Sequence, residues 1–148
     1  MNPGKQSAVR SILFLSVLFL LAACSRQPLY PSPPLIGSEV AIDASQLEPE
    51  VPLFFTFKSG NKNVNFFILK VQDKVLSVLD ACVTCYTHKR GYRHDEGTVV
   101  CRACDQRFSV YTLEKGIGNC YPIKIKGRME NGKYLIPVAA LEAEVGKF

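Results

Sequence analysis

Apolar residues follow three different patterns along this chain. The first is a continuous run, Ile12 to Ala23, preceded by Lys5 and Arg10. Its length suits the core of a signal peptide and falls short of a permanent membrane span. The second is a series of short blocks. Leu53 to Phe57 and Asn65 to Val71 are rich in aromatic and β-branched residues and are separated by Ser59-Gly60-Asn61, which predicts two paired strands. Gln72-Asp73-Lys74 then reads as a tight turn into a third strand, Val75 to Leu79, that delivers Asp80-Ala81-Cys82 at its end. Thr98-Val99-Val100 leads into Cys101 in the same way, Ile123 to Ile125 and Tyr134 to Val138 read as closing strands, and Leu141 to Val145 as a short helix. The third pattern is the proline-rich stretch Gln27 to Ser38, which holds four of the nine prolines and predicts an extended, stiff tether. The fold class expected is mainly β: one small domain at 40–148, after a signal peptide at 1–23 and a linker at 24–39.

The apolar run ends in Leu21-Ala22-Ala23-Cys24, the pattern of a bacterial lipobox, in which the cysteine thiol takes a diacylglycerol and the chain is cut just before it. Cys24 is therefore the expected lipidation site. The protein is expected on the bacterial cell envelope, held to the membrane by its lipid and facing the periplasm or the cell exterior. Cleavage removes Lys5 and Arg10 and lowers the formal charge of +5 by two. An exported chain with so little excess charge is a poor nucleic-acid binder. Its size limits it to a modest core, which a metal or a cross-link would reinforce.

Cys82-Val83-Thr84-Cys85 and Cys101-Arg102-Ala103-Cys104 carry the candidate chemistry. Two thiols separated by two residues can turn toward one ion, so a pair of such knuckles supplies four sulfurs at metal-ligand spacing. The expected ligands are Cys82, Cys85, Cys101 and Cys104. With Cys24 acylated, five thiols remain, and an odd number cannot all pair within one chain. A tetrathiolate site plus Cys120 accounts for them. So do two disulfides with a free Cys120, or a mixed site in which His88 or His94 joins three cysteines while the other two form a disulfide. Lys89, Arg90, Arg93, Arg102 and Arg107 cluster around the knuckles, and their field would stabilise an anionic metal–thiolate group. Gly116-Ile117-Gly118-Asn119-Cys120-Tyr121-Pro122 reads as a tight turn that brings Cys120 and backbone N–H groups beside the site, as an additional ligand or a tuning residue.

Phe66-Phe67-Ile68-Leu69-Lys70, Asp80-Ala81-Cys82-Val83-Thr84-Cys85-Tyr86, Lys89-Arg90-Gly91-Tyr92, Val99-Val100-Cys101-Arg102-Ala103-Cys104, Arg107-Phe108 and Gly118-Asn119-Cys120-Tyr121-Pro122-Ile123 together resemble the FtrD-like membrane iron-sulfur domain of bacteria, from about Val40 to Leu141. The resemblance implies a metal or iron-sulfur protein of the envelope, associated with iron uptake through a permease and a periplasmic metal-binding protein, and moving electrons. Two departures stand out. Many members carry the domain on a multi-span membrane protein, whereas this chain is expected to use a lipid. Where the family has Gly-Gly-Cys-Asn-Pro, this chain has Gly118-Asn119-Cys120-Tyr121-Pro122.

Strands that deliver knuckles to a shared site describe Rieske-like, zinc-ribbon and rubredoxin-like domains alike. The leading reading is an exported lipoprotein whose four knuckle thiolates bind an iron-sulfur cluster, or a single iron or zinc, for electron transfer in envelope iron or copper transport. A structural zinc ribbon and a thiol-disulfide redox protein are the alternatives. There is no Ser-His-Asp set, carboxylate pair or phosphate loop, so the chain reads as an electron-transfer or metal-binding protein and not as a hydrolase or transferase.

Overall fold

The block Val64-Asn65-Phe66-Phe67-Ile68-Leu69 lacks the polar alternation of a strand with one wet face, and the computed structural model shows why. The structure describes residues 27–148; the expected signal peptide and Cys24 lie outside the described residues. Eleven strands are present among them: β1 (Leu35–Ile36), β2 (Glu39–Asp43), β3 (Leu53–Ser59), β4 (Lys62–Val71), β5 (Lys74–Cys82), β6 (Tyr92–Asp95), β7 (Thr98–Cys101), β8 (Arg107–Ser109), β9 (Pro122–Ile125), β10 (Arg128–Glu130) and β11 (Lys133–Pro137), followed by one short helix, α1 (Val138–Glu142). They form three antiparallel sheets, ordered β1-β2-β11-β10, β3-β4-β5-β9 and β6-β7-β8.

The β3-β4-β5-β9 sheet lies between two cores. Val64, Phe66 and Ile68 of β4 join Leu79 and Ala81 of β5 and the β2 and β11 residues Val40, Ile42, Tyr134 and Ile136 in the first core. Alternate residues of the same strands, Phe67, Leu69, Val71, Val78 and Cys82, join Tyr92, Val99, Cys101 and Phe108 of the β6-β7-β8 sheet in the second. The period-two geometry of strands thus turns one apolar run into the contact surface of two layers. Burying a Phe or Leu side chain contributes about 1.5–3 kcal/mol, so β4 is the main stabilising element. The second core encloses three of the cysteines, Cys82, Cys101 and Cys120.

The expected strand pairings are present: Phe55 lies opposite Phe66 and Phe67 opposite Val78. The expected helix at Leu141–Val145 begins earlier, at Val138. Pro137 ends β11, and the fixed φ of a proline leads directly into a helical turn. The proline-rich stretch is extended as expected, but it is docked along the domain. The Pro28 carbonyl accepts from Asn65 Nδ2 (2.6 Å), the Tyr30 N–H donates to Thr56 Oγ1 (2.9 Å), and the Thr56 N–H donates to the Pro31 carbonyl (3.0 Å). The Tyr30 ring stacks on Phe54 at 4.9 Å between centroids.

Candidate metal centre

Each CxxC sits where a strand ends. β5 finishes at Cys82, and its chain turns through Cys85, whose N–H donates to the Cys82 carbonyl (3.2 Å). β7 finishes at Cys101, and the Asp105 N–H donates to its carbonyl (2.9 Å). Lys89 and Asp105, at φ +52° and +56°, take up the left-handed backbone that reverses the chain after each knuckle. The Cys120 turn is closed by reciprocal hydrogen bonds between Ile117 and Cys120, with Gly118 at φ +58°. Asn119 does not occupy positive φ, so replacing the family's glycine there carries no backbone strain. The Val83 N–H donates to the Tyr121 carbonyl (3.0 Å), which pins this turn against the end of β5.

The five cysteines among the described residues are free thiols, and the turn carries the fifth sulfur into the site. The sulfurs of Cys85, Cys101, Cys104 and Cys120 all lie within 4.8 Å of one another. Cys82, expected as a ligand, is not a member of this quartet; its Sγ lies 2.6 Å from that of Cys120. Four sulfurs bound to one ion at about 2.3 Å stand about 3.8 Å apart in a tetrahedron, so the quartet matches a tetrathiolate centre after small side-chain adjustments. His88 ends a single 3-10 turn, Tyr86–His88, and His94 lies on β6; both are exposed and neither belongs to the quartet. The strand that carries His94 is only four residues long and polar apart from Tyr92, so no alternation marks it in the sequence.

The thiols differ in their surroundings. Burial pushes Cys82 up, but hydrogen bonds from Cys120, Thr84 and the backbone outweigh it and bring the thiol down to about 7. Cys120 is pushed up by burial and then by Cys82. Burial carries Cys101 up to about 12, while backbone and sulfur hydrogen bonds overcome desolvation at the exposed Cys104 and lower it.

Behind the sulfurs is a polar arrangement that the motifs contain without explaining. Asp80 is buried one residue before Ala81 on the face of β5 that carries Cys82. Its carboxylate accepts from the Tyr92 N–H (2.5 Å) and the Tyr30 hydroxyl (3.4 Å). Gly91, at φ +67°, is required here because a Cβ would collide with that carboxylate. The bond fixes the start of β6 and so places Tyr92, a fully buried residue whose ring packs edge-on against Phe67 and Phe108. The Tyr92 hydroxyl has no oxygen or nitrogen partner. Burial, then the negative charge of Cys82, Cys120 and Cys101, raises its phenol. An orphaned hydroxyl facing sulfurs is suited to donate to metal-bound thiolates, so the site fits the group its donors imply.

The expected basic cluster divides in two. Arg93 and Arg107 pair with Asp95 at 3.1 and 2.7 Å. Lys89 and Arg90 line a small cavity with Cys82, Cys85 and Cys101, and Arg102 donates to the Tyr92 carbonyl (2.8 Å). Sequence reading missed Asp80 and Tyr92 as site residues, although both stand in the quoted motifs. The signal was the glycine beside Tyr92: a motif residue without Cβ marks a turn or a close approach.

Residues 47–148 match the family described as membrane iron-sulfur containing proteins, FtrD-like. No curated protein and no solved structure gives a significant match. No helix among the described residues is long and apolar enough to cross a membrane.

Proposed function

Because this chain belongs to the FtrD-like family of membrane iron-sulfur containing proteins, we propose that it is an electron-transfer lipoprotein of the bacterial envelope whose cysteines hold an iron-sulfur centre. The observation that carries this reading is the convergence of the Cys85, Cys101, Cys104 and Cys120 sulfurs within 4.8 Å, a spacing that suits four thiolates on one iron. Cys85, Cys101 and Cys104 are common to this quartet and to the set expected from the knuckle spacing; the fourth thiolate comes from the Cys82 and Cys120 pair, and geometry favours Cys120. Iron held by thiolates changes oxidation state by one electron at a potential set by its surroundings. The chain's own residues supply those surroundings. Tyr92 offers a hydroxyl to the sulfurs, Lys89 and Arg90 offset their charge, and the second core keeps water from Cys101 and Cys120. Cys104 is exposed and gives the site an edge from which an electron reaches a partner.

The family resemblance supports a role beside an envelope iron permease and a periplasmic metal-binding protein, and the lipobox supports attachment through Cys24. The compact sulfur spacing also suits a single zinc ion in a purely structural site. Anaerobic purification followed by metal analysis and a visible spectrum separates the two. An iron centre is coloured and bleaches on reduction; a zinc site is colourless. Cys85→Ser, Cys101→Ser and Cys104→Ser are each expected to lose metal and stability. Full metal loading with the wild-type spectrum in all three variants removes the assignment.

A further inference from the structure

Five thiols converge on a site that uses four, and the spare one is placed against a ligand. We propose that Cys104, Cys120 and Cys82 form a thiol relay in which a hydroperoxide oxidises Cys104 and the oxidation is passed inward, ending as a Cys82–Cys120 disulfide. Two sulfur–sulfur contacts support this, and Cys120 is common to both: 4.0 Å to Cys104 and 2.6 Å to Cys82. Cys104 is exposed, whereas Cys120 and Cys82 are 8% and 2% exposed. The three sulfurs therefore form a path from solvent to core. The backbone already holds the inner pair together. Cys82 ends β5 opposite Pro122 of β9, and the Val83 N–H bond to the Tyr121 carbonyl fixes the Cys120 turn alongside. Bridging this pair needs side-chain rotation and little backbone movement.

The chemistry balances in three steps. The Cys104 thiol and hydrogen peroxide give a sulfenic acid and water, with the O–O bond breaking and sulfur oxidised by two electrons. The Cys120 thiol displaces the sulfenic hydroxyl as water and forms a Cys104–Cys120 disulfide. The Cys82 thiol then attacks the Cys120 sulfur, forming the Cys82–Cys120 bond and returning Cys104 as a thiol. The net change is two thiols and one peroxide to one disulfide and two waters. The product removes Cys120 from the quartet and leaves Cys85, Cys101 and Cys104, so oxidation disassembles the site while the exposed cysteine is returned to the thiol level. Reduction of one disulfide restores all five thiols.

The test is made on metal-free protein, so its outcome stands apart from the iron reading above. One equivalent of hydrogen peroxide is added, remaining thiols are alkylated, and the bridges are mapped by peptide mass spectrometry. The wild type is expected to give the Cys82–Cys120 bridge with Cys104 alkylated. Cys82→Ser is expected to stop at a Cys104–Cys120 bridge, and Cys104→Ser to form the inner bridge about tenfold more slowly or worse, having lost the exposed thiol. Matching far-UV circular dichroism of the metal-free wild type and variants shows that a changed bridge does not report a lost fold. Bridges within the knuckles, Cys82–Cys85 or Cys101–Cys104, as the main wild-type products overturn the proposal. An unchanged rate in Cys104→Ser overturns the relay.

Discussion

Asp80 and Tyr92 show how a residue far from coordination sets a site. Asp80 fixes Tyr92 by its backbone, and Tyr92 turns its unpartnered hydroxyl to the sulfurs. Removing that donor with Tyr92→Phe leaves the packing of the ring intact. A hydrogen bond to a thiolate sulfur stabilises the electron-rich, reduced form, so the variant is expected to keep its metal and to lower the reduction potential by tens of mV, on the order of a charged hydrogen bond. Voltammetry of the two proteins reads this directly; equal potentials would mean that the hydroxyl is only packed. Asp80 itself predicts a pH effect. Burial pushes its carboxyl up to about 7, against the pull of the Tyr92 N–H and Arg102. A carboxyl whose folded pKa is raised contributes stability that is complete below its unfolded pKa near 4 and is lost as pH rises through about 7. Asp80→Asn cannot ionise. Measured by denaturation of metal-free protein, the stability of the variant relative to wild type is expected to rise between pH 4 and 8, by up to about 4 kcal/mol. Taking the difference cancels the thiols that titrate in the same range. A flat difference would show that the carboxylate is fully compensated in the fold.

At the scale of elements, legibility followed the length of the apolar run. β3, β4 and β5 carry their cores in long, mostly apolar runs, so their existence and pairing could be read directly, and the ends of β5 and β7 were placed with their knuckles. β1, β2, β6, β8 and β10 were not legible. They are two to five residues long, and they are held as strands by the ladders beside them, even where, as in β2, their centre is buried. The tether was hidden for a related reason. Prolines announce extended backbone, but what the strap docks on, Phe54, Thr56 and Asn65, lies more than twenty residues onward. The metal site divides likewise. Spacing brought two knuckles together, but it contained nothing about distance between Cys82 and Cys120, which are 38 residues apart and meet only because β9 pairs with β5. That pairing brings Cys120 into the quartet.

At the scale of the whole molecule, the docked strap changes what a lipid at Cys24 would do. Pro28 is already hydrogen-bonded to the domain, so only three residues lie between it and Cys24, a span of about 14 Å at full extension. Tyr30, two residues further on, reaches Asp80 behind the cysteines. A lipid at Cys24 would therefore hold the cysteine end of the domain near the bilayer, within reach of a membrane-embedded partner, whereas a free proline-rich tether would let it range. This arrangement depends on acylation and is tested there. A thioether-linked lipid requires the Cys24 sulfur, so Cys24→Ala is expected to block lipid labelling and cleavage and to accumulate as a longer precursor. The sulfur quartet comes from Cys85, Cys101, Cys104 and Cys120, so the metal content of the variant should match wild type. Normal processing of Cys24→Ala would overturn the lipoprotein reading and, with it, the placement of the site against the membrane.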